Sequence, residues 1–234
     1  GDDLSSVYSA EKQVVRIDVL SPARFLRYAD GNFLTPSKKA MSALYMIANA
    51  DKAHELRIEA LNERGLGGLN EVILLTGGAE LCLSLKLITR HLERDSKDYG
   101  DVVIHCVQGK DRTGMLVMLC QSILGLSDDV IIEDYFKSDQ MRKEGSGSAA
   151  ADDVVVTNKP RQQRRRRGKL DRNLFSGASR EAMVGTLEML RKKYGSVSPG
   201  YLDAIGFDSD WRNRFLTAMQ RQEPDEGNRV QSRL

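Results

Sequence analysis

Apolar residues recur every three or four positions along most of this chain, which is the spacing of one face of an α-helix. Residues 37–62 follow this pattern until it breaks near Ala50 and Asp51, and the break predicts two successive helices. The same spacing predicts helices at 80–94, 115–124, 130–141 and 179–193, and two more after Ser198 and Ser209. The hydrophobic pattern therefore predicts a helix-rich fold.

Short β-branched stretches interrupt these helical patterns. Residues 102–104, Val-Val-Ile, predict a buried strand, and one or two further strands are predicted near 14–19. Residues 72–76 are compatible with a strand or a helix, and we favour a helix from Glu71 because Asn70 is a good N-cap residue. The chain is therefore predicted to adopt a helix-rich α/β fold.

A decapeptide at 105–114, His-Cys-Val-Gln-Gly-Lys-Asp-Arg-Thr-Gly, connects the predicted strand at 102–104 to an apolar helix. Gly109 allows the backbone to turn inward without a Cβ clash. Thr113 and Gly114 stand at the predicted helix start, so that successive N–H groups converge on one anion at the positive end of the helix dipole. This arrangement predicts a cradle for a phosphate group.

Cys106 is the candidate nucleophile of this cradle, and Arg112 is the candidate phosphate ligand. A helix N-terminus and a nearby guanidinium can lower the pKa of a thiol from about 8.5 to roughly 3.5–7.5. The resulting thiolate is a nucleophile at neutral pH and would face the bound phosphorus. The planar guanidinium of Arg112 can hold two phosphate oxygens and bind more tightly as charge spreads over them in the transition state.

The other residues of the loop have supporting parts. His105 is expected to fix the backbone of the cysteine, and Thr113 to donate to the sulfur. Lys110 is expected to face the mouth of the cradle and attract further negative charge. The rest of the substrate-binding set is formed by loop positions whose backbone lines the cradle: Val107, Gln108, Gly109, Thr113 and Gly114.

Asp111 is the candidate acid for the leaving oxygen and the candidate base for the attacking water. Two alternatives stay open from the residues alone. Asp111 can simply pair with a neighbouring cation, or the proton can come from an acid elsewhere, such as Glu71 or Glu80.

Composition limits the class of protein. The chain has 234 residues, 41% of them hydrophobic, which is enough for one substantial core, and we expect a single domain over 1–234. No stretch approaches the roughly 18 apolar residues of a membrane span. Three cysteines, Cys82, Cys106 and Cys120, do not suggest a disulfide framework, so we expect a reducing compartment, namely the cytoplasm, with nuclear or peripheral membrane location as alternatives.

A flexible insert is predicted at about 145–177, where a Gly-, Ser- and Ala-rich stretch precedes a basic tract. The tract includes four consecutive arginines, Arg164, Arg165, Arg166 and Arg167. It is either a solvated surface or a site of attraction to an anionic membrane surface, worth about 1 kcal/mol per basic residue. Nucleic acid is a weaker candidate because aromatic residues are not interleaved.

No metal or cofactor is expected. His54 and His91 have no partners at the spacing of metal ligands, and both are expected on solvated helix surfaces.

The motif Cys-x5-Arg-Thr with a preceding histidine resembles the signature of the protein tyrosine phosphatase superfamily. The fuller string HCVQGKDRTG is similar to the bacterial and fungal-type tyrosine phosphatases of that superfamily. Residues 132–139, Ile-Glu-Asp-Tyr-Phe-Lys-Ser-Asp, and the pattern of Tyr-Gly-Ser at 194–196, Tyr-Leu at 201–202 and Ile-Gly at 205–206 also resemble segments of those proteins. The resemblance covers roughly 100–142 and 180–216.

This resemblance implies a small, mostly parallel central sheet flanked by helices, with the cradle at the carboxyl end of its strand. It implies Cys106 as nucleophile, Arg112 as phosphate binder and Asp111 as acid and base. The implied activity is hydrolysis of phosphotyrosine through a phosphocysteine, with phosphoserine and phosphothreonine as further substrates. Hydrolysis of phosphoinositides or inositol phosphates is the first alternative. The second is a pseudophosphatase that only binds phosphate, which the intact Cys, Arg and Thr of the loop disfavour.

Overall fold

The computed structural model describes residues 14–94, 101–145, 169, 171, 174–175 and 177–222. Its helices are α1 (Pro22–Asn32), α2 (Pro36–Ala48), α3 (Ala50–Thr76), α4 (Gly78–Leu92), α5 (Asp111–Ile123), α6 (Asp128–Gly145), α7 (Arg180–Tyr194), a π-helical turn (Val197–Tyr201), α8 (Leu202–Ala204) and α9 (Ser209–Gln222). The prediction of a helix-rich fold is confirmed.

Side-chain caps explain where several helices begin. The Thr35 hydroxyl accepts from the backbone N–H of Lys38 at the start of α2, and the Asn49 side chain accepts from the N–H of Lys52 at the start of α3. The predicted break near residues 50 and 51 is therefore confirmed, with Asn49 as the capping residue. Ser179 caps α7 in the same way through the N–H of Ala182.

Residues 72–76 form the end of α3, which confirms the helix prediction. Asn70, however, is not a cap, because α3 already runs through it. Its side chain is buried and its Nδ2 donates to Thr186 Oγ1 on α7 at 3.1 Å. A polar pair thus joins α3 to α7 where the sequence suggested a helix start.

The predicted strands at 102–104 and near 14–19 are not strands. The described residues contain no β-strand, and 14–18 and 101–106 run as irregular chain. A strand needs a neighbour that accepts and donates backbone hydrogen bonds, and no described segment pairs with these residues. Val103 is accordingly 80% exposed, and the central sheet implied by the resemblance is not seen in the described residues.

Helix α5 is the centre of the packing. It is apolar around most of its circumference, and such a helix is stable only when other elements cover it. Helices α3, α4, α6 and α9 and the π-helical turn all contact it. Its buried residues belong to the larger core cluster and include Met115, Met118 and Leu119. The loop at 105–110 leads into its N-terminus, so this burial fixes where the loop lies.

A second core cluster lies among α1, α3 and α7, and it includes Phe33, Leu61 and Ala182. Phe175, from the end of the predicted insert, packs into the same cluster. The arginines at 164–167 lie outside the described residues.

No single described helix is long and apolar enough to span a membrane; α3 and α4, which meet at a 75° bend, would satisfy that test only as a pair, judged by length and composition alone.

The Tyr201 hydroxyl ties the π-helical turn to the core, because it is buried and donates to the backbone oxygen of Leu74 on α3 at 2.6 Å. We expect Tyr201→Phe to lower the free energy of unfolding by about 1 kcal/mol, the usual net value of a buried hydrogen bond. Thermal denaturation should show a Tm lower by roughly 2–4 °C for a chain of this size. Tyr45→Phe is the matched control, and an equal effect there would contradict the assignment.

Candidate active site

The loop closes into a turn just ahead of α5. Gly109 has a φ of 68°, the left-handed region that glycine adopts without a Cβ penalty. Helix α5 then begins at Asp111, ahead of the apolar pattern at 115–124 and of the start predicted at Thr113 and Gly114. Asp111, Arg112 and Thr113 therefore occupy its first turn, where backbone N–H groups have no partner within the helix. Such amides and the positive end of a helix dipole favour an anion, so the helix start lies where the sequence predicts a phosphate site.

The Cys106 thiol is half-buried in front of this turn. Burial opposes its ionisation, but the Thr113 hydroxyl and the backbone N–H groups of Thr113, Gln108 and Gly109 outweigh burial and lower its pKa to about 7. The Thr113 hydroxyl is buried and has no other hydrogen-bond partner among the described residues, so it can orient toward the sulfur. Cys106 is therefore substantially a thiolate at neutral pH.

The other thiols have the opposite character. Burial raises the pKa of Cys82, and it raises the pKa of Cys120 to about 12. Both pack with the larger core cluster. Of these cysteines, only Cys106 has the ionisation of a nucleophile.

Arg112 lies on the first turn of α5 with its side chain partly exposed. It forms no hydrogen bond or ion pair with any other residue that the structure describes. A guanidinium that has no partner among the described residues can hold the oxygens of a phosphate.

Lys110 does not face the mouth of the cradle. Its side chain is 1% exposed, and its Nζ donates to Asp111 Oδ1 at 2.8 Å, to the Phe175 carbonyl at 2.7 Å and to the Gly177 carbonyl at 2.8 Å. A buried ammonium is stable only when it is paired and hydrogen-bonded, and these three acceptors meet that requirement. The sequence contained no signal for the two carbonyls, because this contact depends on the path of the chain after the insert.

Asp111 is the carboxylate nearest to the loop in sequence, and its side chain is 17% exposed. Its Oδ1 accepts from Lys110, while Oδ2 has no partner among the described residues. The two alternative acids are engaged elsewhere. Glu71 accepts from the Tyr28 hydroxyl at 2.6 Å, and Glu80 pairs with Arg24 at 2.7 Å, which lowers the pKa of Glu80.

The rim of the loop is open. Val107 is 88% exposed, and the side chain of Gln108 is also exposed. His105, which precedes the cysteine, has its Nδ1 3.3 Å from the Cys106 carbonyl oxygen. The role of His105 in fixing the cysteine backbone stays a prediction.

Helix α6 supports the loop from behind. The Tyr135 ring is buried against Gly114, where a Cβ would lie only 2.7 Å from a ring carbon. Asp134 accepts from Gln121 Nε2 on α5 at 2.9 Å. A small pocket between the two helices is lined by residues that include Gly109, Thr113 and Tyr135, but not by Cys106 or Arg112. Asp134 and Tyr135 therefore hold the helix behind the cradle.

A thiol whose pKa is lowered by the first turn of a helix, with an arginine on that same turn, is a feature of cysteine-dependent phosphatase loops. Residues 23–219 match the sequence profile of the tyrosine phosphatase family, and this chain belongs to that family.

One curated relative is the triple specificity protein phosphatase PtpB of Mycobacterium tuberculosis. The two sequences are 31% identical over 118 residues, a stretch that covers 49% of this chain and 42% of PtpB.

The pKa of Cys106 predicts how its reactivity depends on pH. Alkylation by iodoacetamide requires the thiolate, so its rate should rise with pH and reach half its maximum near pH 7. In Thr113→Val the lost hydroxyl should move this midpoint toward the ordinary value of about 8.5 and slow the reaction at pH 7 by roughly threefold or more. Thr113→Ser should retain the low midpoint. Mass spectrometry of the modified peptide measures all three, and a wild-type midpoint near 8.5 would contradict the assignment.

Proposed function

We propose that this protein is a cysteine-dependent phosphatase that hydrolyses phosphomonoesters through a phosphocysteine. Phosphotyrosine is its preferred substrate. The observation that carries the proposal is the Cys106 thiol, with a pKa of about 7, in front of the first turn of α5. That turn also carries Arg112, which pairs with no other described residue. The family membership of the chain supports the same conclusion.

The first step transfers the phosphoryl group to the enzyme. The Cys106 thiolate attacks phosphorus, a P–S bond forms and the bond from phosphorus to the leaving oxygen breaks. Asp111 acts as the general acid and gives a proton to that oxygen, so that the product leaves as a neutral hydroxyl. Arg112 and the amides of the first turn hold the phosphoryl oxygens as their charge redistributes.

The second step returns the enzyme to its starting state. Water attacks phosphorus, Asp111 takes one of its protons, and the P–S bond breaks to release inorganic phosphate. The sulfur leaves as a thiolate, which the hydroxyl and N–H of Thr113 stabilise. The positive charge that these steps need comes from Arg112 and the helix N-terminus, so we propose a reaction without a metal ion.

Phosphotyrosine is preferred over phosphoinositides because of Lys110. A headgroup with several phosphates needs additional cations at the mouth of the site, and the ammonium of Lys110 is turned inward. The open rim of the loop also fits phosphoserine and phosphothreonine, which reach less far from the peptide backbone. PtpB is described as having triple specificity, which supports a broad substrate range.

We also propose that the enzyme works in the reducing cytoplasm, because its nucleophile is a thiolate. Attraction of the arginines at 164–167 to an anionic membrane surface stays a prediction from the sequence.

Loss of the nucleophile tests the reaction. Cys106→Ser should lower kcat on an aryl phosphate by at least about 10⁴-fold, because an alcohol is hardly ionised at neutral pH, and Arg112→Ala by about 10²–10³-fold, the usual effect of removing an oxyanion ligand. Phosphate release should persist in EDTA, and acid quenching should trap phosphate on Cys106. Cys82→Ala is the matched control and should keep full activity. Turnover that survives Cys106→Ser would overturn the proposal.

A substrate panel tests the preference. Phosphate release should be fastest on phosphotyrosine peptides, slower on phosphoserine and phosphothreonine peptides, and slowest on phosphoinositides in vesicles. A higher kcat/KM on the lipids would assign the alternative lipid activity. Stoichiometric binding of a phosphopeptide, with no turnover of any substrate, would instead assign a pseudophosphatase.

A further inference from the structure

The proposed chemistry does not explain the position of Lys110. It stands between Gly109 and Asp111, yet its side chain runs into the protein and is 1% exposed. Removing an ammonium from water is costly, and a surface lysine would avoid that cost. Its burial therefore indicates a contact that the loop depends on.

All three N–H donors of this ammonium are used. They reach Asp111 Oδ1, the Phe175 carbonyl and the Gly177 carbonyl at 2.7–2.8 Å. An ammonium has three donors and no acceptor, so none is left for a phosphate oxygen in this arrangement. The partners of Lys110 are thus one carboxylate of the loop and two backbone oxygens of a segment 65 and 67 positions away in sequence.

The two carbonyls belong to a segment that is itself held in place. We name Phe175, Gly177 and Ala178 the anchor segment. The Phe175 ring is buried in the second core cluster, and Ala178 is buried in the larger one. Ser179 follows directly and caps α7. Because these contacts fix the anchor segment to the core, its carbonyls give Lys110 a fixed point.

The third partner of the ammonium is the proposed acid and base. Lys110 occupies Oδ1 of Asp111 and leaves Oδ2 for the proton. A carboxylate on the first turn of a helix can rotate about two side-chain bonds, and proton transfer requires one orientation within hydrogen-bond reach of the leaving oxygen. A contact from a buried lysine removes this freedom without entering the substrate site.

We propose that Lys110 is a positioning residue, which links Asp111 to the anchor segment and orients its carboxylate for proton transfer. This inference rests on the proposed phosphatase activity. It differs from a direct role in binding, since here Lys110 acts through Asp111 and does not touch the substrate.

The dependence of kcat on the basicity of the leaving group distinguishes a residue that positions Asp111 from one that binds the phosphate. A general acid matters when the leaving oxygen is strongly basic, as in phenyl phosphate, and hardly matters when it is weakly basic, as in 2,4-dinitrophenyl phosphate. We expect Asp111→Asn to lower kcat on phenyl phosphate by about 10²-fold or more. Lys110→Met, which keeps the length of the side chain, should lower it by about tenfold, with less than about threefold loss on dinitrophenyl phosphate.

The double variant gives a second criterion. If Lys110 acts through Asp111, Lys110→Met should have no further effect in the Asp111→Asn background, because coupled residues are not additive. KM and inhibition by vanadate, a phosphate analogue, should change little. Lys86→Met is the matched control, since this lysine lies beside Trp211, and it should leave both rates unchanged.

An equal loss on both substrates, a raised KM with weaker vanadate inhibition, or additive effects would overturn the inference and make Lys110 a phosphate ligand. Unchanged rates on both would overturn it as well. Circular dichroism checks that Lys110→Met folds; if it does not, Phe175→Ala, which loosens the anchor segment, replaces it under the same criteria. Absence of Cys106-dependent turnover of dinitrophenyl phosphate by the wild type would instead overturn the proposed function.

Discussion

The position of helix α5 is the constraint on which the site depends. A helix that is apolar on nearly all sides must lie inside the protein, and α5 is covered by four other helices and the π-helical turn. Its N-terminus is the part that can reach the surface with free backbone amides. Thiolate formation at Cys106 and the availability of Arg112 both follow from this one placement, since each is within reach of that first turn.

The candidate site was largely predictable because its chemistry is local. Cys106, Arg112 and Thr113 lie within eight positions, and a turn followed by a helix places the Thr113 hydroxyl and N–H at the Cys106 thiol without help from distant residues. The helices were predictable for a similar reason, since apolar spacing and capping residues act over one or two turns. The start of α5 was predicted a few residues too late, because the polar residues of its first turn do not show the apolar pattern.

The predictions that were wrong concern residues whose structure depends on distant segments. A strand at 102–104 needs a partner, and β-branched composition does not say whether one is present. Asn70 is of a residue type that often caps helices, yet its side chain donates a hydrogen bond to Thr186 on α7, far along the chain. The direction of the Lys110 side chain depends on where Phe175 packs. In each case the deciding contact spans many residues and leaves no periodic signal.

Gly114 and Tyr135 form a pair whose members depend on each other. The tyrosine ring fills the space that any larger residue at 114 would need, and the glycine leaves the flat surface on which that ring lies. Changing either one alone gives a clash or a cavity at the start of α5, beside the loop at 105–110. Across related sequences the two positions should therefore be inherited as a unit, so that the distance between α5 and α6 stays constant while the residues around them diverge.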